Sequence, residues 1–213
     1  MRRRNLTWTI GGSALILSGV LVMMREIALG SSLTPALAVI AELTWSVGVT
    51  VFAVGRTRYE SVVARRPLGL VAILILAWWQ VAARIVFDAL TPSGGFATPD
   101  SVPPTYVVFG YLHLLMPLAA GIIATVQIAR TRIVPSPWRW APLWVLGLSV
   151  LVGVITQAMF ATLALPQQAL ADVAALLGAL TSLASTIGLG VLALILSERG
   201  RATSVQIFRS GQS

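Results

Sequence analysis

Neither cysteine nor lysine occurs among the 213 residues, and histidine occurs once. Without cysteine there is no disulfide, no thiolate metal site and no Cys nucleophile, and the redox compartment is not indicated. Without lysine there is no Schiff-base chemistry, a lysine-bound retinal included. A single histidine excludes the usual multi-His metal and haem sites. The expectation is therefore no metal and no cofactor. Charge is also scarce, at 10% of residues, where a soluble domain carries about a quarter. A water-soluble globular enzyme is excluded. What is abundant is apolar side chain: 57% of residues are hydrophobic and mean hydropathy is +0.87. This is the composition of a polytopic, multi-pass protein of the cell membrane.

Six apolar runs stand out, at 8–24, 33–54, 68–90, 106–129, 140–163 and 169–196. Roughly 20 residues cross the hydrocarbon as a helix, so each run is long enough or nearly so. Backbone groups in lipid must bond internally, and these runs do not alternate as barrel strands do. The expected fold is all-α: one transmembrane domain over 1–213, a bundle of six spans. All 15 basic residues are arginine. They cluster before span 1 (Arg2, Arg3, Arg4), between spans 2 and 3 (Arg56, Arg58, Arg65, Arg66), between spans 4 and 5 (Arg130, Arg132, Arg139) and after span 6 (Arg199, Arg201, Arg209). The other connections hold only Arg25. The positive-inside rule then places both termini in the cytoplasm. The net charge of +8 reads as a cytoplasmic face beside anionic lipid. No basic domain with interleaved aromatics suggests nucleic acid.

The first run follows three arginines, and Ala28-Leu29-Gly30 would pass as a cleavage site, but Arg25 and Glu26 precede it, so an uncleaved first helix is expected. The loop at 91–105 is rich in Pro and Gly and is placed to lid an outward-opening site. Basic triplets end spans 2, 4 and 6, at 56–58, 130–132 and 199–201. They admit two readings, three related helical hairpins or merely three basic inner loops.

The polar residues inside spans carry the functional signal, because ionisable groups in lipid are costly. From the rise of a helix, Glu42 sits roughly 2 Å from the centre of span 2 and Gln80 near the centre of span 3. Arg84, Asp88, His113 and Gln157 lie roughly 7–13 Å outward, and Asp172 begins span 6 at the outer interface. Gln80, Arg84 and Asp88 share one face by their i, i+4, i+8 spacing. Glu42 is the natural partner for Arg84, with Asp88 the alternative, since an unpaired buried charge is far more costly. Such a pair either fixes helix packing or belongs to a polar pocket in the outer half. A Thr44–His113 nucleophile–base pair is opposed by a depth difference of roughly 7 Å. Trp8, Trp138, Trp140 and Trp144 belong to an interfacial belt. Trp45, Trp78 and Trp79 fall mid-membrane beside Glu42 and Gln80; they are either core packing or cation–π surfaces for a carbocation. Gly178, Ser182, Ser185 and Thr186 read as a close helix contact in span 6.

The stretch from Trp8 to Phe52 resembles the start of small integral-membrane terpene cyclases of fungal meroterpenoid and bacterial indole-sesquiterpene pathways. The shared outline is a first span, a charged pair before a glycine (Arg25-Glu26 and Gly30), then a second span with a buried Glu (Glu42). Met159-Phe160, Gln167-Gln168 and an Ala/Leu/Gly-rich last span add to it. The resemblance implies a membrane-embedded acid, Glu42, that protonates an alkene or epoxide of a prenyl chain. The chain departs from that pattern in having Ala41, not Trp, before the Glu, and in having six spans where fungal members have seven and a last-span acid.

The leading expectation is an intramembrane terpene cyclase acting on a lipid-like prenylated molecule. Glu42 is its proton donor, Asp88 or Asp172 assists, and Trp45, Trp78 and Trp79 line the cavity with Gln80, Arg84, His113 and Gln157 nearby. The rivals are a small transporter or binding subunit with an outward polar pocket, and a non-catalytic subunit of a membrane complex. Nothing in the sequence fixes the oligomeric state.

Overall fold

The computed structural model describes residues 6–57, 60–92, 102–131, 138–162 and 167–198. Six helices are long and apolar enough to cross a membrane. They are α1 (Leu6–Ile27), α2 (Thr34–Val54), α3 (Pro67–Leu90), α4 (Pro104–Thr131), α5 (Ala141–Thr162) and α6 (Gln167–Leu183). A 3-10 turn, Trp138–Trp140, leads into α5. A π-helical turn, Ala184–Gly188, carries α6 onward, so the last span reaches Glu198. No strand occurs among the described residues.

Local chemistry explains the boundaries. Pro67 opens α3, where a missing N–H costs nothing because that donor has no partner in a helix anyway. Gly30 takes φ 84° in the turn after α1, and the Thr34 hydroxyl donates to the Ala28 carbonyl at 2.6 Å. Gly55 ends α2 at φ 54°. A Cβ there would lie 2.5 Å from the Ser61 backbone nitrogen, so the chain turns at a point only glycine fits. Most of the loop expected to lid a site, 93–101, lies outside the described residues, as do Arg58, Arg132, Arg199 and Arg201 of the basic triplets.

Small residues let the helices approach closely. A Cβ on Gly12 of α1 would lie 2.9 Å from the Gly190 carbonyl oxygen, and one on Gly190 would lie 2.8 Å from the Gly12 carbonyl oxygen. The first and last spans thus cross backbone to backbone. Gly19 sits equally tightly on Thr186, which is buried. Of the small residues expected to form the contact of the last span, Thr186 does so, whereas Gly178 has open space beside it. Between spans, the Ser18 hydroxyl donates to the Ala41 carbonyl at 2.9 Å and the Ser46 hydroxyl to the Ala77 carbonyl at 2.6 Å.

The arginine-rich end of α1, α2, α3 and α4 is closed by the connection between α2 and α3. Glu60, Ser61, Val62 and Val63 of this connection are buried. Arg65 folds back and donates from Nε to the Val54 carbonyl and from Nη2 to the Gly55 carbonyl, both at 2.9 Å. A cation there answers the unpaired carbonyls and the negative dipole end of α2. The Thr131 hydroxyl donates to the Val62 carbonyl at 3.0 Å and ties α4 to the same connection.

The exterior is apolar. Leu17, Val47, Val71, Ile85, Leu114 and Leu151 are all exposed, which suits hydrocarbon and not water. No residue of α5 from 141 to 160 is buried.

Candidate functional site

Three places in the structure bear on the side chains singled out in the sequence. The first is between α2 and α3. Arg84 donates from Nε to Glu42 Oε2 at 3.0 Å, and its Nη2 donates to Glu42 Oε1. This is the two-pronged geometry that a guanidinium and a carboxylate form best. The side chains are 36% and 30% exposed. Of the two carboxylates within reach in sequence, Arg84 takes the one on the neighbouring helix. Asp88, one turn further along α3, is exposed and takes no part. Gln80 is also exposed.

The second place is between α3 and α4. The rings of Trp79, Phe87, Tyr106, Phe109 and His113 form one aromatic cluster. Phe87 is its hub, with centroid distances of 4.9 Å to Phe109, 5.3 Å to Tyr106 and 5.4 Å to His113. Trp79 lies 6.1 Å from Phe109. The Trp79 Nε1 and His113 Nδ1 atoms are buried without a hydrogen-bond partner. Buried polar atoms are nearly always paired, so each of these nitrogens is an exception within an otherwise apolar cluster. Trp78 points elsewhere: it is exposed, and its Nε1 donates to the Thr50 hydroxyl at 3.1 Å. Thr44 gives its hydroxyl to the Ile40 carbonyl of its own helix at 2.7 Å. Gln157 is exposed on α5, and Asp172 is exposed at the start of α6, where Gln168 Nε2 donates to it at 3.0 Å.

The third place is a chamber of about 280 Å³ in the arginine-rich half of the bundle. All six spans contribute to its wall. Trp8 and Leu15 come from α1, Trp45 and Phe52 from α2, Ile73 and Leu76 from α3, Ala124 and Ile128 from α4, Leu146 and Ser149 from α5, and Ser185 and Leu189 from the last span. Trp138 closes it from the 3-10 turn. The only hydroxyls on the wall are those of Thr125, Ser149 and Ser185, and each donates to a carbonyl of its own helix, Gly121, Val145 and Ser182 respectively. The wall therefore offers aromatic rings and aliphatic groups, with no charged side chain.

This differs from the expected cavity in two respects. Of the three mid-span tryptophans, Trp45 lines the chamber and Trp78 and Trp79 do not. Trp8 and Trp138, read from sequence as interfacial, do line it. Glu42 lies one helical turn beyond Trp45, outside the wall. The sequence reading also passed over Glu60. This acid is 3% exposed, and its Oε2 accepts a hydrogen bond from the Thr7 hydroxyl at 2.7 Å. It stands in a connection dominated by arginines, so nothing in the local pattern separates it from a solvated loop acid. Among the described residues no group of three or more His, Cys, Asp or Glu is placed to hold a metal.

Compared with known proteins, the chain matches no family model, no curated protein and no solved structure.

Proposed function

We propose that this protein is an intramembrane terpene cyclase that takes the chain of a prenylated, lipid-like molecule into the apolar chamber. The observation that carries the reading is the composition of the wall. Three indoles, Trp8, Trp45 and Trp138, stand with the Phe52 ring in a largely apolar space that no charged side chain lines. Such a surface suits an isoprenoid chain and attracts a developing carbocation to the ring faces. The proton that starts cyclisation comes from Glu42, one turn from Trp45. In its pair with Arg84, Glu42 accepts two N–H bonds and has no proton to give. The cyclase reading therefore requires the pair to open and Glu42 to be protonated when the chamber is loaded.

A second reading is favoured by the closed pair itself. If Glu42 and Arg84 stay joined, they fix α2 against α3, and the protein binds or moves the same class of molecule without reacting it.

Replacement of Glu42 by Gln separates the two. It keeps the shape and removes the acid. In the cyclase reading, turnover of a farnesyl-bearing substrate by Glu42→Gln in lipid falls at least about a hundredfold, the scale for losing a general acid. Cyclisation at the wild-type rate by Glu42→Gln ends the cyclase reading. Loss of thermal stability with no turnover in either protein is the result expected of the binding protein.

A further inference from the structure

Beside the chamber runs a groove of about 390 Å³ between α5 and the π-helical turn of the last span. Four residues, Trp138, Val145, Leu189 and Leu192, line both spaces. The two are thus separated by a single layer of side chains. Trp144, which is 77% exposed, stands at the groove's outer edge. Two features make this layer the soft part of the wall. No residue of α5 from 141 to 160 is buried, so little packing holds that helix in place. The π-helical turn Ala184–Gly188 breaks the regular ladder on the facing helix, a feature that often accompanies function.

A polar feature stands next to the same opening. Arg139 follows Trp138 in the 3-10 turn, with its guanidinium 5.9 Å from the Trp140 ring. Its Nε is buried and has no hydrogen-bond acceptor. Removing a cationic N–H from water without an acceptor is costly, and an oxyanion is the group that best satisfies a guanidinium.

We propose that the α5–α6 groove is the lateral portal of the chamber, and that it admits a single isoprenoid chain whose oxyanion head rests on Arg139. This rests on the chamber reading above and deepens it. It names the route from the bilayer and the head group of the molecule that takes it. The side chains that must move are Val145, Leu189 and Leu192; the indole of Trp138 sits between chain and head.

The probe is a farnesyl phosphate carrying a diazirine in its chain, with the matching farnesol analogue as the uncharged control. Purified protein in phosphatidylcholine vesicles is photolysed after timed exposure, and the labelled peptides are identified. Wild-type protein is expected to be labelled saturably on chamber residues, and better by the phosphate than by the alcohol. The chain lacks cysteine, so Ala184→Cys provides a single thiol in the groove, at a residue that does not line the chamber. Capping it with benzyl methanethiosulfonate should slow loading at least about tenfold, the effect of ~1.4 kcal/mol of added barrier. The final extent should stay the same, and reduction should restore the rate in the same sample, which excludes misfolding as the cause. Arg139→Gln should remove the preference for phosphate over alcohol and leave alcohol labelling intact. Absence of chamber labelling in wild-type protein overturns both the portal and the chamber. Chamber labelling whose rate ignores the cap overturns the portal alone. Unchanged phosphate preference in Arg139→Gln overturns the head-group assignment. Abolition of labelling by phosphatidylglycerol in the vesicles would make a membrane phospholipid the occupant and overturn the isoprenoid.

Discussion

Arg84 on α3 holds Glu42 on α2 through two hydrogen bonds, one from Nε to Oε2 at 3.0 Å and one from Nη2 to Oε1. The pair crosses a helix interface that two further side-chain bonds also span, from the Ser46 hydroxyl to the Ala77 carbonyl and from Trp78 Nε1 to the Thr50 hydroxyl. Removing one partner leaves a charge in a poor solvent. Arg84→Leu is expected to cost about 2 kcal/mol, below the ~3–5 kcal/mol of a wholly buried pair because both side chains are about a third exposed. Arg84→Leu combined with Glu42→Gln should recover part of that loss. Thermal unfolding in one detergent checks both. A double variant no more stable than the single one would show that the pair carries no coupling.

The glycines make a sharper comparison. A Cβ at Gly12 meets the Gly190 carbonyl oxygen at 2.9 Å, whereas one at Gly178 meets nothing within 4 Å. Because backbone must move to admit it, Gly12→Ala is expected to cost about 1–3 kcal/mol, the range for overpacking. Gly178→Ala adds no clash and removes a weak helix former, so it should be neutral or stabilising by up to about 1 kcal/mol. The Gly12→Ala midpoint should fall below the wild type and the Gly178→Ala midpoint at or above it. Equal midpoints for the two variants would contradict the backbone-to-backbone crossing of α1 and the last span.

The orientation expected from the arginines is open to direct test. With both ends cytoplasmic, a reporter fused after Ser213 is active only on the cytoplasmic side. One fused at Gly94–Gly95 is active only on the outer side. A cytoplasmic signal from that loop would invert every depth assigned above, and would place the chamber against the outer leaflet.

The positions of the helices were legible because an apolar run of membrane length has few other structures open to it. The Glu42–Arg84 pair was legible for the same reason: a charge within such a run needs a partner, and few were within reach. The choice between Glu42 and Asp88 rested on tertiary position, which spacing along α3 does not carry. The chamber was not legible. Spans that are apolar all round show no amphipathic stripe, so no pattern distinguishes Leu146 facing the chamber from Leu151 facing outward. Trp8 and Trp138 were assigned to the interface by depth. They line the chamber, and depth along a helix says nothing about direction around the bundle. Glu60 was hidden by its neighbours, since an acid among arginines reads as solvated.

The central claim is that the chamber holds an isoprenoid chain, and Ser149 tests it most directly. It lines the chamber from α5, is only half-buried, and bonds nothing but the Val145 carbonyl of its own helix. Ser149→Phe therefore fills the space without displacing the core between the other helices. The measurement is equilibrium binding of farnesol to the two proteins in the same vesicles, with thermal midpoints recorded alongside. Saturable binding to the wild type is expected, and at least about tenfold weaker binding to Ser149→Phe, a loss of ~1.4 kcal/mol, with the midpoint little changed. Equal affinity for both proteins would contradict it.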